Sequence, residues 1–557
     1  MDSCATDLDL TDKKYQTEVV IAGGGLAGMV TAFELLNAGK NVLLIDKDVK
    51  ENFGGLAKES FGGILLVDTP QQKRLGIKDS PELALRDWLS FADFGENDKL
   101  PLEWAKFYCE NSIEYIYKFL DARGIEFLPL VNWPERGAHT TGNTLPRWHI
   151  AWGIGHEIAA KVEAGLANHP KNQKLTLMFE HEVSGFEQQN GRIVGVHGRK
   201  MRDGSTFSVD AEHVVVASGG ICGGDLSKVR DNWYEPWGKA PELLLNGAHI
   251  FGDGLLHDQV QALGGNLTHL DKQWHYAAGV HHPRNKRPYD GLSLVPPRSA
   301  LWLNALGKRI RNPAPIVAYT DTRHLVESIL KEPGQYSWQL MNWKIAIKEL
   351  AVSGCDYMSA FRYKRKLEIF RHLLFGNKEL VNRLVNECPQ DIVVARSLSE
   401  LVDKMNEKNL GVLKTDLGTL TAEIKEYDDQ IDRGPTYFND EQLRLIMNFR
   451  TYRGDRIRTC KYQKINDSSA MPFIAIREFI LARKSLGGIQ TDIDSQVLSK
   501  EGWVIPGLYA VGEAAGFGGG GLHGKGALEG AFLGACVLTG RRAAMSITGI
   551  DKLASKS

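Results

Sequence analysis

Three glycines near the start of the chain have the spacing of a loop that binds the phosphates of a dinucleotide. They form the pattern Gly23-x-Gly25-x-x-Gly28 within EVVIAGGGLAGMVTAFELLNAGKNVLLID, residues 18–46. Gly23 permits a tight turn, Gly25 lets the backbone approach a pyrophosphate, and Gly28 lets a helix pack closely on a strand. Asp46 follows near the spacing of a carboxylate that accepts a hydrogen bond from a ribose hydroxyl. An ordinary glycine-rich turn would leave this acid unexplained, so the pattern predicts a dinucleotide site.

This chemistry needs a strand, a turn, a helix and a second strand in that order. The β-branched residues 19–21 predict the first strand, and the apolar run that ends at Asp46 predicts the second. The helix between them would direct free N–H groups and its positive dipole end at the phosphates.

Two further glycine pairs follow the second strand. The pairs at 54–55 and 62–63 bracket Lys58, Glu59 and Ser60 in ENFGGLAKESFGGILLVDTP. Backbone without Cβ atoms can lie flat against a cofactor and donate several N–H groups. A mobile loop is the alternative, but the position directly beyond the ribose-binding strand favours cofactor contact.

The last 80 or so residues return to the same glycine-rich style. Residues 507–513 (GLYAVGE) predict a strand that ends in Gly-Glu, and the following AAGFGGGGLHGKGALEG predicts a glycine loop that opens a helix of small residues. The N-terminus of that helix could face the C2 carbonyl and N1 of a flavin. AEHVVVASGG, residues 211–220, predicts another buried strand that ends in small residues beside the first strand.

The length of 557 residues is too great for one compact core and sufficient for two or three domains. Helical periodicity predicts helices across 81–123, and alternation around an Asn-Gly turn at 190–191 predicts antiparallel strands across 175–216. Residues 323–430 are charge-rich and are predicted to be mainly helical. We predict a flexible tail at 1–16, the first part of the dinucleotide-binding domain at 17–255, an inserted substrate domain at 256–475 and the second part of the dinucleotide-binding domain at 476–557.

Charge and cysteine usage narrow the class of protein. The net charge of -1 gives no reason to expect a nucleic acid or an anionic membrane as partner, and the charge run 363–368 (YKRKLE) is interpreted as a solvated helix face. Seven dispersed cysteines without a CxxC pair indicate reduced thiols and neither disulfides nor a zinc site. The N-terminus lacks the features of a secretory signal, and no apolar stretch approaches the length of a membrane span. We therefore expect a cytoplasmic protein without an integral membrane segment and without a bound metal.

Together, the motifs resemble the flavoprotein superfamily of fumarate reductase, succinate dehydrogenase and 3-ketosteroid Δ1-dehydrogenase, and most closely its ketosteroid-dehydrogenase-like branch. The motifs that carry the resemblance are VVIAGGGLAGMVTAFELLNAGKNVLLID, GGLAKESFGG, VVVASGG, FGDG, LWLNALGKRI, SLGGIQTD and IPGLYAVGEAAGFGGGGLHGKGALEG. The resemblance implies an α/β fold with a Rossmann-like (glutathione-reductase-type) FAD domain built from both chain ends and an inserted α+β catalytic and capping domain. It implies noncovalent FAD, since Leu56 stands near the place of the histidine that attaches FAD in covalent members.

The cofactor-binding residues predicted from these motifs lie in both halves of the chain. They are Gly23, Gly25, Leu26, Ala27, Gly28, Asp46, Lys47, Gly54, Gly55, Glu59, Ser60, Gly62, Gly63, Val183, Ala217, Ser218, Gly219, Asp253, Gly512, Glu513, Ala527 and Leu528.

Three groups that serve a dicarboxylate in fumarate reductases are missing. The segment KSLGG (484–488) lacks their histidine, Ala527 takes the place of their arginine, and residues 312–313 (Asn-Pro) replace their Asn-Glu. Burial of a carboxylate without a bidentate cation costs several kcal/mol, so fumarate and succinate are poor substrate candidates.

In ketosteroid dehydrogenases, a Tyr-x-Gly-x-Gly loop binds the C3 carbonyl of the substrate. Here Leu522 replaces the tyrosine, Gly526 keeps the N–H donor, and His523 could polarise a carbonyl instead. The resemblance also puts a substrate-contacting histidine near His275 and Tyr276 in the insert. Histidine can act as a base at its ordinary pKa of about 6.5, whereas tyrosine needs a neighbouring cation or histidine to lower its pKa from about 10. Packing of both rings at a domain join is the alternative.

Three functions stay open at this point. The first is a FAD-dependent dehydrogenase that introduces or reduces a C=C bond beside a carbonyl in an apolar, steroid-like ketone, with hydride transfer to flavin N5 and a side-chain base. The second is a flavin reductase or oxidase that uses NAD(P)H or O2, although the sequence offers no second GxGxxG unit. The third is a catalytically inactive flavin-binding module. The electron acceptor and the oligomeric state are open as well.

Overall fold

The computed structural model describes residues 13–550. Cys4 and most of the predicted tail 1–16 lie outside the described residues, whereas residues 13–16 begin the first strand.

A mainly parallel sheet forms the first layer of the fold. Its central strand, Lys13–Ala22, lies between the parallel strands Val42–Ile45 and Thr206–Val216. Leu175–Met178 and Val504–Ala510 extend the sheet on either side, again in parallel. Antiparallel strands of the same sheet are His181–Gln189, Arg192–Lys200 and Gln496–Leu498.

The two ends of the chain meet in this sheet. Residues 19–21 are fully buried, as expected for a parallel strand covered on both faces. Val504–Ala510 pairs with Thr206–Val216, so N-terminal and C-terminal segments build one layer, which confirms the predicted Rossmann-like α/β domain. The prediction of an antiparallel segment was wrong for Leu175–Met178, which is parallel to Val42–Ile45. Apolar–polar alternation does not distinguish a parallel edge strand from an antiparallel one.

A second sheet, largely antiparallel, occupies the middle of the chain. Its central strand, Phe473–Ser485, pairs with Tyr336–Asn342, Ile392–Ala395 and Gln273–His281. Its other strands are Leu245–Asn246, Gly291–Val295, Leu301–Leu303 and Ala351–Val352. Two short antiparallel pairs stand apart: Gly63–Leu65 with Trp148–Ile150, and Leu267–Thr268 with Gly488–Ile489.

This second sheet extends past both predicted limits of the insert, because it takes one strand from before residue 256 and its central strand crosses residue 475. The exact domain limits therefore stay a prediction.

Helices pack on both faces of the first sheet, and further helices belong to the insert. They are Leu26–Asn37, Gly55–Glu59, Pro70–Arg74, Pro81–Ala92, Lys99–Asn111, Lys118–Asp121, Ile154–Ala167, Ser227–Asp231, Leu255–Ala262, Thr322–Leu330, Trp343–Glu349, Ser359–Arg362, Lys366–Phe375, Lys378–Glu387, Leu398–Lys408, Leu417–Arg433, Glu441–Phe449, Arg453–Arg458 and Ala531–Thr548, with a π-helical turn at Ser112–Tyr117.

Most local predictions are confirmed. Residues 81–123 are mainly helical, and this helical region ends before Gly124, whose φ is 67°. Asn190 and Gly191, with φ values of 51° and 77°, close the predicted hairpin. The strand Tyr336–Asn342 was not expected in a region read as mainly helical. Its first five residues, YSWQL, alternate apolar and polar side chains with the period of a strand, and this short signal was overlooked within a charge-rich region.

No helix within residues 13–550 is long and apolar enough to cross a membrane. Glu368, His372 and Glu379, on two consecutive helices of the insert, have possible ligand atoms within 4.8 Å of one another. They lie outside the cleft described below, and the expectation of no bound metal stays a prediction.

Candidate functional site

A large cleft opens between the two sheets, at the carboxyl ends of the parallel strands. It contains about 1650 Å³ of space free of protein atoms, including space open to solvent. Its lining runs from the glycine turn of the first sheet to Tyr276 and Lys484 of the second, so a ligand in the cleft can contact both layers.

The three glycines of the first turn have three different surroundings. A Cβ atom at Gly23, whose φ is 119°, would lie 2.3 Å from the carbonyl oxygen of Ala217. A Cβ atom at Gly28 would lie 2.0 Å from the carbonyl oxygen of Gly23, so helix and strand touch there. A Cβ atom at Gly25 would meet nothing within 4 Å, because this residue faces the cleft. Gly25 also begins the helix Leu26–Asn37 without a side-chain cap, which leaves its first N–H groups available to a phosphate.

Asp46 is fixed beside this turn by two backbone donors. Its Oδ2 accepts a hydrogen bond from the N–H of Gly24 at 2.5 Å, and its Oδ1 accepts one from the N–H of Asp48 at 2.7 Å. Burial raises the pKa of Asp46, and the two N–H groups oppose that shift. Each carboxylate oxygen keeps a further lone pair for a ribose hydroxyl.

Lys47, the next residue, is held by two carboxylates. Its Nζ lies 2.5 Å from Oε2 of Glu182 and 3.1 Å from Oδ2 of Asp253. These contacts tie the end of the second parallel strand to the rim of the cleft.

Most predicted cofactor residues line the cleft. Those that line it are Gly23, Gly25, Leu26, Ala27, Asp46, Lys47, Gly54, Gly55, Ser60, Gly62, Gly63, Val183, Ala217, Ser218, Gly219, Asp253 and Glu513.

Five predicted cofactor residues lie elsewhere. Gly28 packs on Gly23 as described, and Gly512 packs against Ala27. Glu59 is half-exposed and lies 3.8 Å from Arg287. Ala527 and Leu528 are buried in the hydrophobic core of the first layer.

The cleft wall carries a polar group that joins both layers. Tyr276 lines the cleft, and its Oη accepts a hydrogen bond from Nζ of Lys484 at 3.0 Å. The same hydroxyl donates to Oε2 of Glu529 at 3.1 Å. Burial lowers the pKa of Lys484 to about 8, against the opposing effect of Glu529. Burial and Glu529 together raise the pKa of Tyr276 well above its usual value, so its phenol stays protonated.

Sequence reasoning missed Lys484 and Glu529. Both were in quoted motifs, but residues 276, 484 and 529 are brought together only by folding. A charged residue in a segment otherwise rich in small and apolar residues was the available signal.

His275 lies outside the cleft, although its neighbour Tyr276 lines it. Successive side chains of a strand point to opposite faces, and the ring of His275 stacks on Trp233 with centroids 5.1 Å apart. Neither ring nitrogen has a hydrogen-bond partner among the described residues, and burial lowers the pKa of His275 to about 3. The residue is a neutral, packed ring, in line with the alternative of packing at a domain join.

His523 and Gly526 also lie behind the cleft wall. The ring of His523 stacks on Trp88 at 5.5 Å, and burial lowers its pKa to about 3. The N–H of Gly526 donates to the carbonyl of His523 at 3.2 Å, so this donor is used within its own loop.

Glu513 and the last helix complete the cleft from the C-terminal side. Oε1 of Glu513 accepts a hydrogen bond from the N–H of Ser485 at 2.9 Å, and burial raises the pKa of Glu513 to about 7. The helix Ala531–Thr548 begins at Gly530, which lines the cleft and provides no side-chain cap. Its positive dipole end therefore faces the cleft.

Comparison with known families gives the cofactor. A model of the family described as "FAD binding domain" matches residues 18–533. The chain belongs to this FAD-binding family. FAD is therefore its cofactor, and the chain is a FAD-dependent oxidoreductase.

The FAD-binding chain has a relative of similar length. A KsdD-like steroid dehydrogenase of Mycobacterium tuberculosis (strain CDC 1551 / Oshkosh) is 37% identical over 544 residues, which are 94% of this chain and 94% of the relative. This confirms the resemblance to the ketosteroid-dehydrogenase-like branch.

Two solved structures share the fold of the FAD-binding chain. One is a 3-ketosteroid Δ1-dehydrogenase from Sterolibacterium denitrificans, with a TM-score of 0.68, 15% identity and coverage of 96% of this chain and 99% of that one. The other is a 3-ketosteroid-Δ4-(5α)-dehydrogenase from Rhodococcus jostii RHA1 in complex with 4-androstene-3,17-dione, with a TM-score of 0.64, 21% identity and coverage of 98% and 99%.

The residues of the cleft fit FAD. Open space at Gly25 and the uncapped helix behind it suit a pyrophosphate, and the anchored carboxylate of Asp46 suits a ribose. The N-terminus at Gly530 suits the electron-rich end of the flavin ring.

Proposed function

We propose that this chain is a FAD-dependent dehydrogenase that forms, or in reverse saturates, a C=C bond beside the carbonyl of an apolar, steroid-like ketone. The observation that carries the proposal is the pairing of Tyr276 with Lys484 at the wall of the cleft that the glycine turn also lines. The name of the 37% identical relative, a KsdD-like steroid dehydrogenase, supports the substrate class.

The cleft around Tyr276 favours an apolar substrate. Its lining includes the aromatic side chains of Phe61, Trp148, Phe517 and Phe532. Arg483 also lines the cleft, and its Nη1 donates to the carbonyl of Gly247, while its Nε has no hydrogen-bond partner among the described residues. Aromatic walls with a few polar groups bind a ring system better than a dicarboxylate.

Tyr276 is the proposed site of proton transfer. When bound, FAD supplies the hydride acceptor. With its pKa raised, Tyr276 carries its proton at neutral pH and can give it to the carbon beside the carbonyl in the direction of reduction. In dehydrogenation, the same oxygen takes up the substrate proton while its own proton passes to the carboxylate of Glu529, which already accepts its hydrogen bond.

Lys484 and Glu529 have different proposed roles around this phenol. The ammonium of Lys484 stabilises negative charge that develops on the Tyr276 oxygen, because it donates to that oxygen directly. Glu529 accepts from the same hydroxyl and orients it. We propose both as positioning residues, since neither needs to touch the substrate.

The test is an anaerobic titration of the FAD-loaded protein with 4-androstene-3,17-dione and related ketones, followed by flavin absorbance. We expect bleaching by a ketosteroid and no bleaching by succinate. Bleaching by NADH alone would identify a nicotinamide-linked reductase and overturn the proposal. The proposal would also be overturned if no ketone reduced the flavin and no enone reoxidised the chemically reduced flavin.

We also propose that FAD is bound noncovalently, since Leu56, in the glycine-rich segment of the cleft wall, cannot form a bond to the flavin. Acid precipitation should then leave a yellow supernatant and a colourless pellet.

A cytoplasmic location is proposed from the cysteines, because free thiols are typical of a reducing compartment. The free thiols are Cys109, Cys222, Cys355, Cys388, Cys460 and Cys536.

A further inference from the structure

One helix of the insert turns an apolar face to solvent. The helix Lys366–Phe375 has no buried residue among its ten positions. Leu367 is 87% exposed, Phe370 61%, Leu374 60% and Phe375 68%. Of the nine large hydrophobic side chains that are at least 55% exposed within residues 13–550, five lie between 363 and 375, so the exposure is clustered and not scattered.

The exposed side chains form a stripe. Leu367, Phe370 and Leu374 are spaced i, i+3 and i+7 and therefore share one face of the helix. The helix is fixed from behind: Nζ of Lys348 donates to the carbonyl of Leu373 at 3.1 Å, and Gly376, just after the helix, packs on Ile347. The apolar stripe thus points away from the protein on a supported element.

Basic residues border the stripe. At about 100° per residue, Lys366 and Arg371 lie on either side of it, and both are exposed. The acidic residue of this helix, Glu368, is turned away from the stripe and pairs with Arg365 at 3.2 Å. An apolar face with cationic borders is complementary to a bilayer surface with anionic headgroups.

The length of the helix separates lying on a membrane from crossing it. Ten residues at 1.5 Å per residue give about 15 Å, half of the ~30 Å hydrocarbon core. The helix can lie in the interface with its stripe among the acyl chains.

The stripe follows a segment that reaches the cleft. The short helix Ser359–Arg362 precedes it, and the ring of Phe361 lies 6.1 Å from the ring of Phe61. Phe61 lines the cleft and stacks on Trp148, another lining residue, at 5.9 Å. Aromatic side chains thus connect this short helix to the cleft.

We propose that the helix Lys366–Phe375 docks this protein on an anionic membrane surface and brings the cleft next to the bilayer, where an apolar ligand dissolves. The docking is peripheral and reversible, and it does not depend on which ketone reacts.

The test is flotation of the FAD-loaded protein with vesicles of phosphatidylglycerol and phosphatidylcholine in equal amounts, at ~0.15 M salt. The patch variant combines Leu367→Ser, Phe370→Ser and Leu374→Ser. Its matched control combines Val412→Ser, Tyr437→Ser and Trp503→Ser, which are equally exposed apolar residues elsewhere. We expect the patch variant to partition more than about tenfold less and the control to match the unmodified protein.

A charge variant, Lys366→Glu with Arg371→Glu, isolates the electrostatic contribution to vesicle binding. It should lose about tenfold or more in binding to anionic vesicles, with little change toward pure phosphatidylcholine. Unchanged FAD content and thermal melting show that each variant is folded.

Equal partitioning of the patch variant and the unmodified protein would overturn the proposal. The proposal would also be overturned if the unmodified protein did not bind vesicles. If the unmodified protein were then a dimer by sedimentation and the patch variant a monomer, the stripe would be a contact between two copies of the chain.

Discussion

The phenol oxygen of Tyr276 lies 3.0 Å from the ammonium nitrogen of Lys484, on adjacent strands of the second sheet. Both side chains reach the same cleft as the glycine turn of the first sheet. The two layers therefore contribute different parts of one site: phosphate and ribose contacts from the first, and proton chemistry from the second.

Replacement of Tyr276 by phenylalanine should slow flavin reduction by a ketone about 10²–10⁴-fold, because the variant loses the proton-transfer group but keeps the ring. Stopped-flow absorbance under anaerobic conditions measures this rate. His275→Phe is the matched control, since His275 is packed behind the cleft and should leave the rate nearly unchanged. A Tyr276→Phe rate within about threefold of the unmodified enzyme would remove Tyr276 from the mechanism.

The rate at which the reduced enzyme saturates an enone should fall as the pH rises through about 8, because Tyr276 gives up its proton in this direction. Burial lowers the pKa of Lys484 to about 8, so the cation that stabilises the developing Tyr276 oxyanion is lost above this pH. The Lys484→Met variant should be slow at all pH values, and its plot of rate against pH should lack the fall near pH 8, which is the alkaline limb of the profile. Lys484→Arg, which stays charged, should shift the limb to higher pH. A Lys484→Met profile that keeps the limb would assign it to another group.

The same lysine should affect stability at alkaline pH. Its pKa is about 8 in the folded protein and about 10.4 in the unfolded chain, so the unfolded state binds more protons between these values. Lys484 therefore opposes folding below pH 8, and its penalty is relieved as the pH rises toward 10. Denaturant titrations of apoprotein should show the stability gap between Lys484→Met and the unmodified protein narrowing over this range. A constant gap would contradict the assignment.

Alanine at two glycines of the same motif should affect different properties: the stability of the apoprotein at one position and FAD binding at the other. At Gly28, the new methyl group would lie 2.0 Å from a carbonyl oxygen and should destabilise the apoprotein by about 1–3 kcal/mol. At Gly25, which has a φ of -69° and open space, alanine should leave the apoprotein within about 0.5 kcal/mol but obstruct the pyrophosphate. Thermal melting of apoprotein and FAD titration measure the two effects. A Gly25→Ala protein that binds FAD normally would show that the phosphates lie elsewhere.

Asp46→Asn should weaken FAD binding about 10–100-fold, because a charge-assisted acceptor for a ribose hydroxyl is lost. Fluorescence titration of the apoprotein gives the dissociation constant. Glu59→Gln serves as control, since Glu59 is half-exposed beside Arg287 and lies outside the cleft. Equal losses in both variants would point to a general effect of charge.

The parts of the site that are local in sequence could be predicted, and those that depend on long-range pairing could not. The glycine turn and Asp46 lie within one strand–helix–strand unit, so spacing alone identified them. The choice between His275 and Tyr276 depends on which face of a strand meets the cleft, which sequence near a bulged register does not fix. Glu529 reaches Tyr276 across 253 residues.

Net charge does not show how charge is distributed over the surface. A net charge of -1 is a sum over the whole chain, and it conceals the basic border that Lys366 and Arg371 give to one apolar helix. The run YKRKLE was interpreted as a solvated face, and residues 363–375, which include it, carry the largest cluster of exposed apolar side chains among residues 13–550.

The strand Phe473–Ser485 has a mechanical consequence. It is the axis of the second sheet, and its last residues carry Lys484 and the N–H that holds Glu513. Glu529 belongs to the loop before the final helix of the other layer. Any hinge rotation that widened the cleft would move Tyr276 and Lys484 together away from Glu529. Substrate would then enter in an open conformation, and proton transfer would require a closed one.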